Sequence, residues 1–434
     1  MKAGVKWGIG GFAALMMFGA ALLAGWAMDE IPFSHCIEHA LSAADAARQA
    51  KNEAPLFLLR WKENTDAVRY ELTVKDATGR TVFEQPYAFQ SEYILPPSLT
   101  PGSVPQGLTY QVRALDLDGE PISEWSRPRL LADDAALLTI HAPVPRSQYH
   151  KGNGTDLLYP VYAYTAYPGA ASYEVEVTSR EPEPSAQRRA SRYRIARYES
   201  ELTDIYDPVP RTGSYYWRVR ALDASGKPMT IWSPAQHVEL TDEFAIGVYG
   251  DSISHGGGRL SYGPTDWAYS YESYLAEPVV NLSESGDTSA RMAERFASDV
   301  KPFSHLKTLL ILGGTNSLRA STSADDVIED LKSIQAQARA RGIRPVLMTL
   351  PPINPAQIAK AFDQPTAADW QEKFAKVNAF IRTQPHIDTA APFTRYDEMP
   401  KELAMDGLHG DVRAKMMMAS AINQALAKEQ RRAK

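Results

Sequence analysis

Four short blocks after Thr241 carry side chains suited to acyl transfer. Gly250-Asp251-Ser252 offers a serine behind a flexible glycine. Ser285-Gly286-Asp287-Thr288 offers a glycine whose backbone can approach a ligand closely. Gly314-Thr315-Asn316 offers a carboxamide donor, and Asp406-Gly407-Leu408-His409 sets a carboxylate three residues before an imidazole. Acyl transfer needs this set: a nucleophile, a base, a carboxylate to orient the base, and donors for an oxyanion. The chemistry runs without metal or cofactor, and the chain has no His-Glu-x-x-His motif. His255-Gly256-Gly257-Gly258 imitates an oxyanion motif of the α/β-hydrolase fold, but the Gly-x-Ser-x-Gly elbow that fold needs does not follow. His255 lies three residues from Ser252 and would have to double back to act as its base. Gly257 could donate to substrate from a mobile loop. Tyr262 and Tyr269 are candidates to line a pocket, whereas Trp267, Tyr271 and Tyr274 share one helical face and suit a core.

Each block follows a short apolar run, and the runs alternate with helical stretches. Strands are expected at Phe244–Tyr249, Val279–Leu282, Thr308–Leu312, Arg344–Leu350 and Ile387–Ala391. Helices are expected at Asp266–Ala276, Ser289–Val300, Ala324–Arg341, Thr366–Thr383 and Val412–Lys428. Such alternation implies a parallel sheet covered on both faces, with a site at the carboxyl ends of its strands.

The preceding residues repeat. Leu108–Asp116 recurs as Tyr215–Asp223, each followed by a glycine turn and a Trp-Ser pair, Trp125-Ser126 and Trp232-Ser233. Upstream, Tyr70–Val74 parallels Tyr173–Val177. Alternating polar and apolar residues between proline-rich turns fit two β-sandwiches.

At the N-terminus, Lys2 and Lys6 precede an uncharged run from Trp7 to Met28. It suits a cleaved signal peptide and a retained membrane anchor alike. Either places the remainder outside the cytoplasm. Residues 29–54 read as a helical spacer, where His35, Cys36 and His39 lack a fourth metal ligand. Over 434 residues, 46 Lys+Arg against 52 Asp+Glu give a net charge of −6. With no basic surplus, nucleic acid is not an expected partner. One cysteine excludes an internal disulfide framework.

The four blocks, in this order, resemble those of the SGNH hydrolases, the GDSL esterase/lipase superfamily, over Phe244 to Lys434. The repeats resemble fibronectin type III modules, through Trp61, Tyr110, Tyr216 and the Trp-Ser pairs. The implied organisation is a signal or anchor (1–28), a spacer (29–54), two fibronectin-like β-sandwiches (55–133 and 134–241) and an α/β three-layer hydrolase domain with a parallel sheet (242–434). The SGNH resemblance implies Ser252 as nucleophile, His409 as base and Asp406 as its orienting partner. The Ser252 and Gly286 N–H groups and the Asn316 amide would form the oxyanion hole. Ser317 departs from the family, which usually has aspartate there. The expected activity is an exported serine esterase, acting on carboxylic and preferably acetyl esters of a polysaccharide. A lipase, lysophospholipase or thioesterase is the second enzyme reading. A surface-binding protein with a decayed hydrolase domain is the non-catalytic one.

Overall fold

A computed structural model describes residues 56–99, 106–138, 140–146, 156–257 and 266–433. The expected export segment, the spacer with His35, Cys36 and His39, and Tyr262 lie outside these residues.

The first unit has two antiparallel sheets. One has the order β4 (Glu92–Leu95), β1 (Leu56–Arg60), β7 (Ala135–Leu138). The other has the order β3 (Thr81–Ala88), β2 (Arg69–Lys75), β5 (Thr109–Leu115), β6 (Arg129–Leu130). A short helix, α1 (Leu131–Asp134), joins β6 to β7. Strand β2 alternates as its sequence does, burying Tyr70, Leu72 and Val74. Strand β1 does not alternate: Leu56-Phe57-Leu58-Leu59 is apolar at every position, so both of its faces must be covered. Phe57 and Leu59 enter the first unit's core, while Leu56 and Leu58 join Tyr162, Val175 and Trp217 of the second. The two units therefore share the β4-β1-β7 sheet as a common wall, and strand β7 runs past the expected boundary at 133. These antiparallel sheets are consistent with β-sandwiches.

In the second unit, β10 (Ser172–Thr178) and β13 (Gly213–Leu222) are central, flanked by β11 (Arg194–Ser200) and β14 (Gln236–Leu240). Strands β9 (Val161–Ala163) and β12 (Asp204–Tyr206) pair separately. The register follows the repeat. Tyr110 faces Val74 and Trp217 faces Val177, so Trp217 is the counterpart of Tyr110, and Tyr216, facing Thr178, is that of Thr109, facing Lys75. The Trp-Ser pairs act alike in both copies. Ser126 Oγ and Ser233 Oγ accept the Val112 and Val219 N–H groups at 3.0 Å. Arg113 lies over Trp125 at 4.7 Å and Arg220 over Trp232 at 4.3 Å.

The third unit is a six-stranded sheet with every pairing parallel. Its order is β19 (His386–Ile387), β18 (Arg344–Met348), β17 (Thr308–Leu312), β15 (Ile246–Gly250), β16 (Val280–Asn281), β8 (Asp156–Leu157). Leu309 to Leu312 are buried at consecutive positions, so both sheet faces are covered. The edge strand β8 comes from the segment expected in the second β-sandwich. Leu158, Tyr159 and Leu240 also enter the core of the third unit. The boundary at 242 is therefore corrected: the third unit recruits residues from before it. Leu157-Leu158-Tyr159 leads through Pro160 into Val161–Tyr164, so the sequence does not set β8 apart as a strand of its own.

The helices are α2 (Ser252–His255), α3 (Ser289–Asp299), α4 (Thr315–Arg319), α5 (Ala324–Ala340), α6 (Pro355–Phe362), α7 (Trp370–Arg382) and α8 (Val412–Ala433). The helix expected at Asp266–Ala276 is instead two 3-10 turns, Trp267–Tyr269 and Tyr271–Tyr274. Ser270 between them is extended, and its Oγ accepts the Gly257 N–H at 2.7 Å. Helix α6 was not expected from apolar runs. Its start has clear local causes in the Asn354 cap on the Gln357 N–H and in Pro355 at the first position.

Candidate active site

Ser252 begins α2 immediately after β15. Asp251 caps that turn, its Oδ1 accepting the Ile253 N–H at 3.0 Å. The Ser252 hydroxyl is half-buried and lies 2.8 Å from His409 Nε2. His409 Nδ1 lies 2.7 Å from Asp406 Oδ2. A carboxylate accepts, so Nδ1 carries the hydrogen and Nε2 is left to accept from Ser252. Asp406 is wholly buried, and its Oδ1 accepts the backbone N–H groups of Leu408 and His409 at 2.8 and 2.7 Å. These bonds fold the Asp-x-x-His segment back on itself. Gly407 permits the bend: its φ is +77°, and a Cβ there would run into the Asn354 carbonyl.

The Ser285–Gly286 turn follows β16, with Gly286 at φ +89°. Asn316, in the first turn of α4, donates from Nδ2 to the Asp287 carbonyl at 3.0 Å, which leaves one amide hydrogen for another acceptor. Arg319 Nε donates to Asn316 Oδ1 at 3.3 Å, and its Nη2 to Gln364 at 3.1 Å. Arg319 fixes which end of the amide is the donor, and motif spacing gave no sign of it.

Ser317 at the departure site is buried, with its Oγ 2.9 Å from the Ser289 N–H and 3.1 Å from Ser289 Oγ. Ser289 Oγ donates to Asp330 at 2.7 Å, so α5 supplies the carboxylate missing after Asn316.

Charge is buried behind the nucleophile. Burial raises Asp251 to about 6. Lys415 is wholly buried and donates to the Ile253 carbonyl at 2.5 Å. Burial pushes Lys415 down and its partner Glu272 up. Arg295, from α3, donates to Asp287 at 2.5 Å, the Leu282 carbonyl at 2.7 Å, the Gly250 carbonyl at 3.1 Å, and Asp299. It lies over Tyr249 at 4.4 Å. One guanidinium thus ties the end of β15 to the loop after β16. Lys415 had a sequence signal, a charge on the apolar face shared by Met418 and Ile422. Arg295 had none.

The other expected contacts fall differently. Gly257 spends its N–H on Ser270, so it does not offer that N–H to a substrate. Tyr269 is buried, and its hydroxyl donates to the Thr65 carbonyl at 2.9 Å, stitching the first β unit to the third unit. It is a contact between units rather than a freely exposed pocket wall. That junction continues beside the site. Val68 and Leu117 pack on Ala361, Phe362 and Met405, next to Asp406. Phe362 meets the His409 ring edge-on at 6.3 Å. Lys401 bonds Asp116 at 3.2 Å, and Lys360 pairs with Asp118.

Residues 248–413 match the family model described as the GDSL-like Lipase/Acylhydrolase family. No curated protein matches the chain. Among solved structures, a GDSL-like lipase from Bacteroides thetaiotaomicron VPI-5482 is 20% identical, covering 42% of this chain and 88% of that one, with a TM-score of 0.32. A lipase/acylhydrolase from Enterococcus faecalis is 19% identical, covering 42% and 95%, with a TM-score of 0.34. A psychrotrophic esterase from Pseudoalteromonas sp. is 16% identical, covering 43% and 98%, with a TM-score of 0.33. Residues 248–413 are therefore a GDSL-like lipase/acylhydrolase domain of SGNH type, that of a serine hydrolase.

Proposed function

We propose that Ser252, His409 and Asp406 carry out ester hydrolysis through an acyl-enzyme. The unbroken hydrogen-bond chain from Ser252 Oγ through the imidazole to Asp406 supports this reading more than any other observation. Ser252 Oγ attacks the acyl carbon while His409 Nε2 takes the hydroxyl proton. The carbonyl oxygen becomes an oxyanion held by the Ser252 and Gly286 N–H groups and the free hydrogen of Asn316 Nδ2. The C–O bond to the alcohol then breaks, and the imidazolium returns the proton to the departing oxygen. Water repeats the sequence on the acyl-serine and releases the acid. Asp406 keeps the ring in the productive tautomer and stabilises the imidazolium.

Acetyl is the proposed acyl group and a polysaccharide the proposed alcohol. The protein would act after export, secreted or tethered by its first 28 residues, with the repeats as fibronectin type III-like modules. The basic run-in, the apolar N-terminal segment and the β units ahead of the hydrolase support this reading. A fluorophosphonate should label Ser252 alone. Hydrolysis of nitrophenyl esters should fall from acetyl to palmitoyl, and acetylated xylan should release acetate. Labelling at Ser254 would overturn the nucleophile, and a preference for long chains would overturn the acyl group.

A further inference from the structure

We propose that His255 is a positioning residue for the oxyanion hole, and that its neutral ring ties the peptide of Tyr159 to the Ser285–Gly286 turn. The inference rests on the proposed role of Gly286. His255 is 2% exposed and both ring nitrogens are engaged. Nε2 lies 2.7 Å from the Tyr159 carbonyl oxygen. A carbonyl only accepts, so Nε2 carries the hydrogen. In the neutral ring Nδ1 is then bare and accepts. Its donors are the Ser285 N–H at 3.1 Å and the Ser285 hydroxyl at 2.9 Å. Ser285 directly precedes Gly286, so a fixed Ser285 amide constrains where the next N–H points.

The far end of the relay is held at several points. The Leu158 N–H donates to the Asn281 carbonyl at 2.8 Å, continuing the pairing of β8 with β16. The Tyr159 hydroxyl donates to Asp299 at 3.0 Å, and Arg295 lies over its ring at 5.2 Å. Tyr206 of the second β unit meets the His255 ring edge-on at 5.3 Å. Burial, with Arg295 as the nearby cation, lowers the His255 pKa to about 4, which keeps the ring neutral through ordinary working pH. A histidine three residues after the nucleophile therefore does not act as its base. It transmits the position of a segment preceding the hydrolase core to the loop that would meet the oxyanion.

The full-length chain carrying His255→Leu, His255→Asn or His255→Gln tests this. Asparagine places an acceptor near the Nδ1 position, whereas glutamine places its amide nearer Nε2. His255→Leu should lose ~10- to 100-fold in kcat with KM nearly unchanged, since misplacing a donor by about 1 Å costs on this scale. Affinity for a trifluoromethyl ketone, which presents an oxyanion, should fall in parallel. His255→Asn should recover more activity than His255→Gln. The ring nitrogens of ¹⁵N-histidine in the unmutated protein should report a neutral Nε2–H tautomer that does not titrate between pH 5 and 8, whatever the variants' folding. Wild-type kcat in folded His255→Leu, a loss carried by KM, equal recovery by Asn and Gln, or an Nδ1–H tautomer would each overturn the proposal. Ser252→Ala is assayed alongside. If it stays active, the catalytic reading itself has failed; if it is inactive while His255→Leu is not, only the relay has failed.

Discussion

Ser252 and Asn316 would act at different moments of one reaction, so their substitutions should read differently. Ser252→Ala removes the attacking atom and should reduce ester hydrolysis by at least roughly 10⁴-fold with the fold retained. Asn316→Ala removes a donor that matters most once charge has developed. It should cost ~10²–10³ in kcat and leave KM almost unchanged. Steady-state kinetics on a soluble nitrophenyl ester separates the two, and a large KM rise would make Asn316 a substrate-binding residue instead. His255 gives a pH test whose sign follows from burial. Its ring is neutral in the native state down to about 4, whereas in the unfolded chain it protonates near ~6.5. Between these values only the unfolded state gains a proton, so stability is lost as pH falls from ~6.5 to ~4, by about 3 kcal/mol at most. Asp251 and Asp287, both raised by burial to about 6, act in the opposite sense over much of that window. The difference between the parent and His255→Asn removes their shared contribution. The parent's Tm should decline relative to the variant from pH 6.5 to 4, and a constant difference would mean the native ring titrates normally. At this scale the sequence was legible wherever chemistry demands a rare arrangement. Ser252, Asn316, Asp406 and His409 stood out by type and order. Arg319 and Arg295 did not, because a buried arginine looks like any surface arginine until its partners are known.

The elements were legible to the extent that their own residues decide them. Strand β17 was read at its observed limits because Thr308-Leu309-Leu310-Ile311-Leu312 is apolar and bounded by turns. The sequence suggests one helix over Asp266–Ala276, but an extended Ser270, whose Oγ accepts the Gly257 N–H, divides it into two 3-10 turns. Strand β8 was missed because an edge strand this short takes its identity from β16. What sets β15 against the β16–α3 loop is Arg295. Its side chain is 3% exposed, and those of Asp287 and Asp299 are 4% and 1%. Arg295→Lys keeps the charge but cannot reach two carboxylates and two carbonyls or stack on Tyr249. Leaving buried carboxylates poorly paired costs about 3–5 kcal/mol. Urea unfolding followed at the hydrolase domain should show a loss of that order, together with reduced kcat because both loops at the site share this anchor. A change under about 1 kcal/mol would mean that a water or a neighbour replaces the guanidinium.

Across the whole molecule, the β units make contacts with the hydrolase domain that a mere spacer would not make. A chain beginning near Thr241 would lack β8, leaving β16 as an unpaired edge. It would also lack the Tyr159 carbonyl that accepts from His255 and the Tyr159 hydroxyl that bonds Asp299. Restoring residues from Asp156 onward returns these groups but not the first β unit. Val68 and Leu117 would still be missing from the apolar contact with Phe362 and Met405, one residue from Asp406. The charged contacts at this junction are exposed, with both side chains of the Lys360–Asp118 pair 40% accessible. Exposed pairs are typically worth no more than about 1 kcal/mol, so Asp118→Ala alone should change little. The apolar contact is the stronger determinant. Leu117→Asp would bury a charge against Phe362 and Met405, at a cost that parting the units would relieve. Freed from that contact, Phe362 would no longer hold the His409 ring from the side. We therefore expect kcat/KM on a small soluble ester to fall at least ~10-fold in Leu117→Asp and to stay within about two-fold in Asp118→Ala. The chain from Thr241 should be less stable and less active than the chain from Asp156. Because the assay ester is small, tethering to a polymer cannot account for a loss. Equal activity in all four proteins would return the β units to the role of spacer.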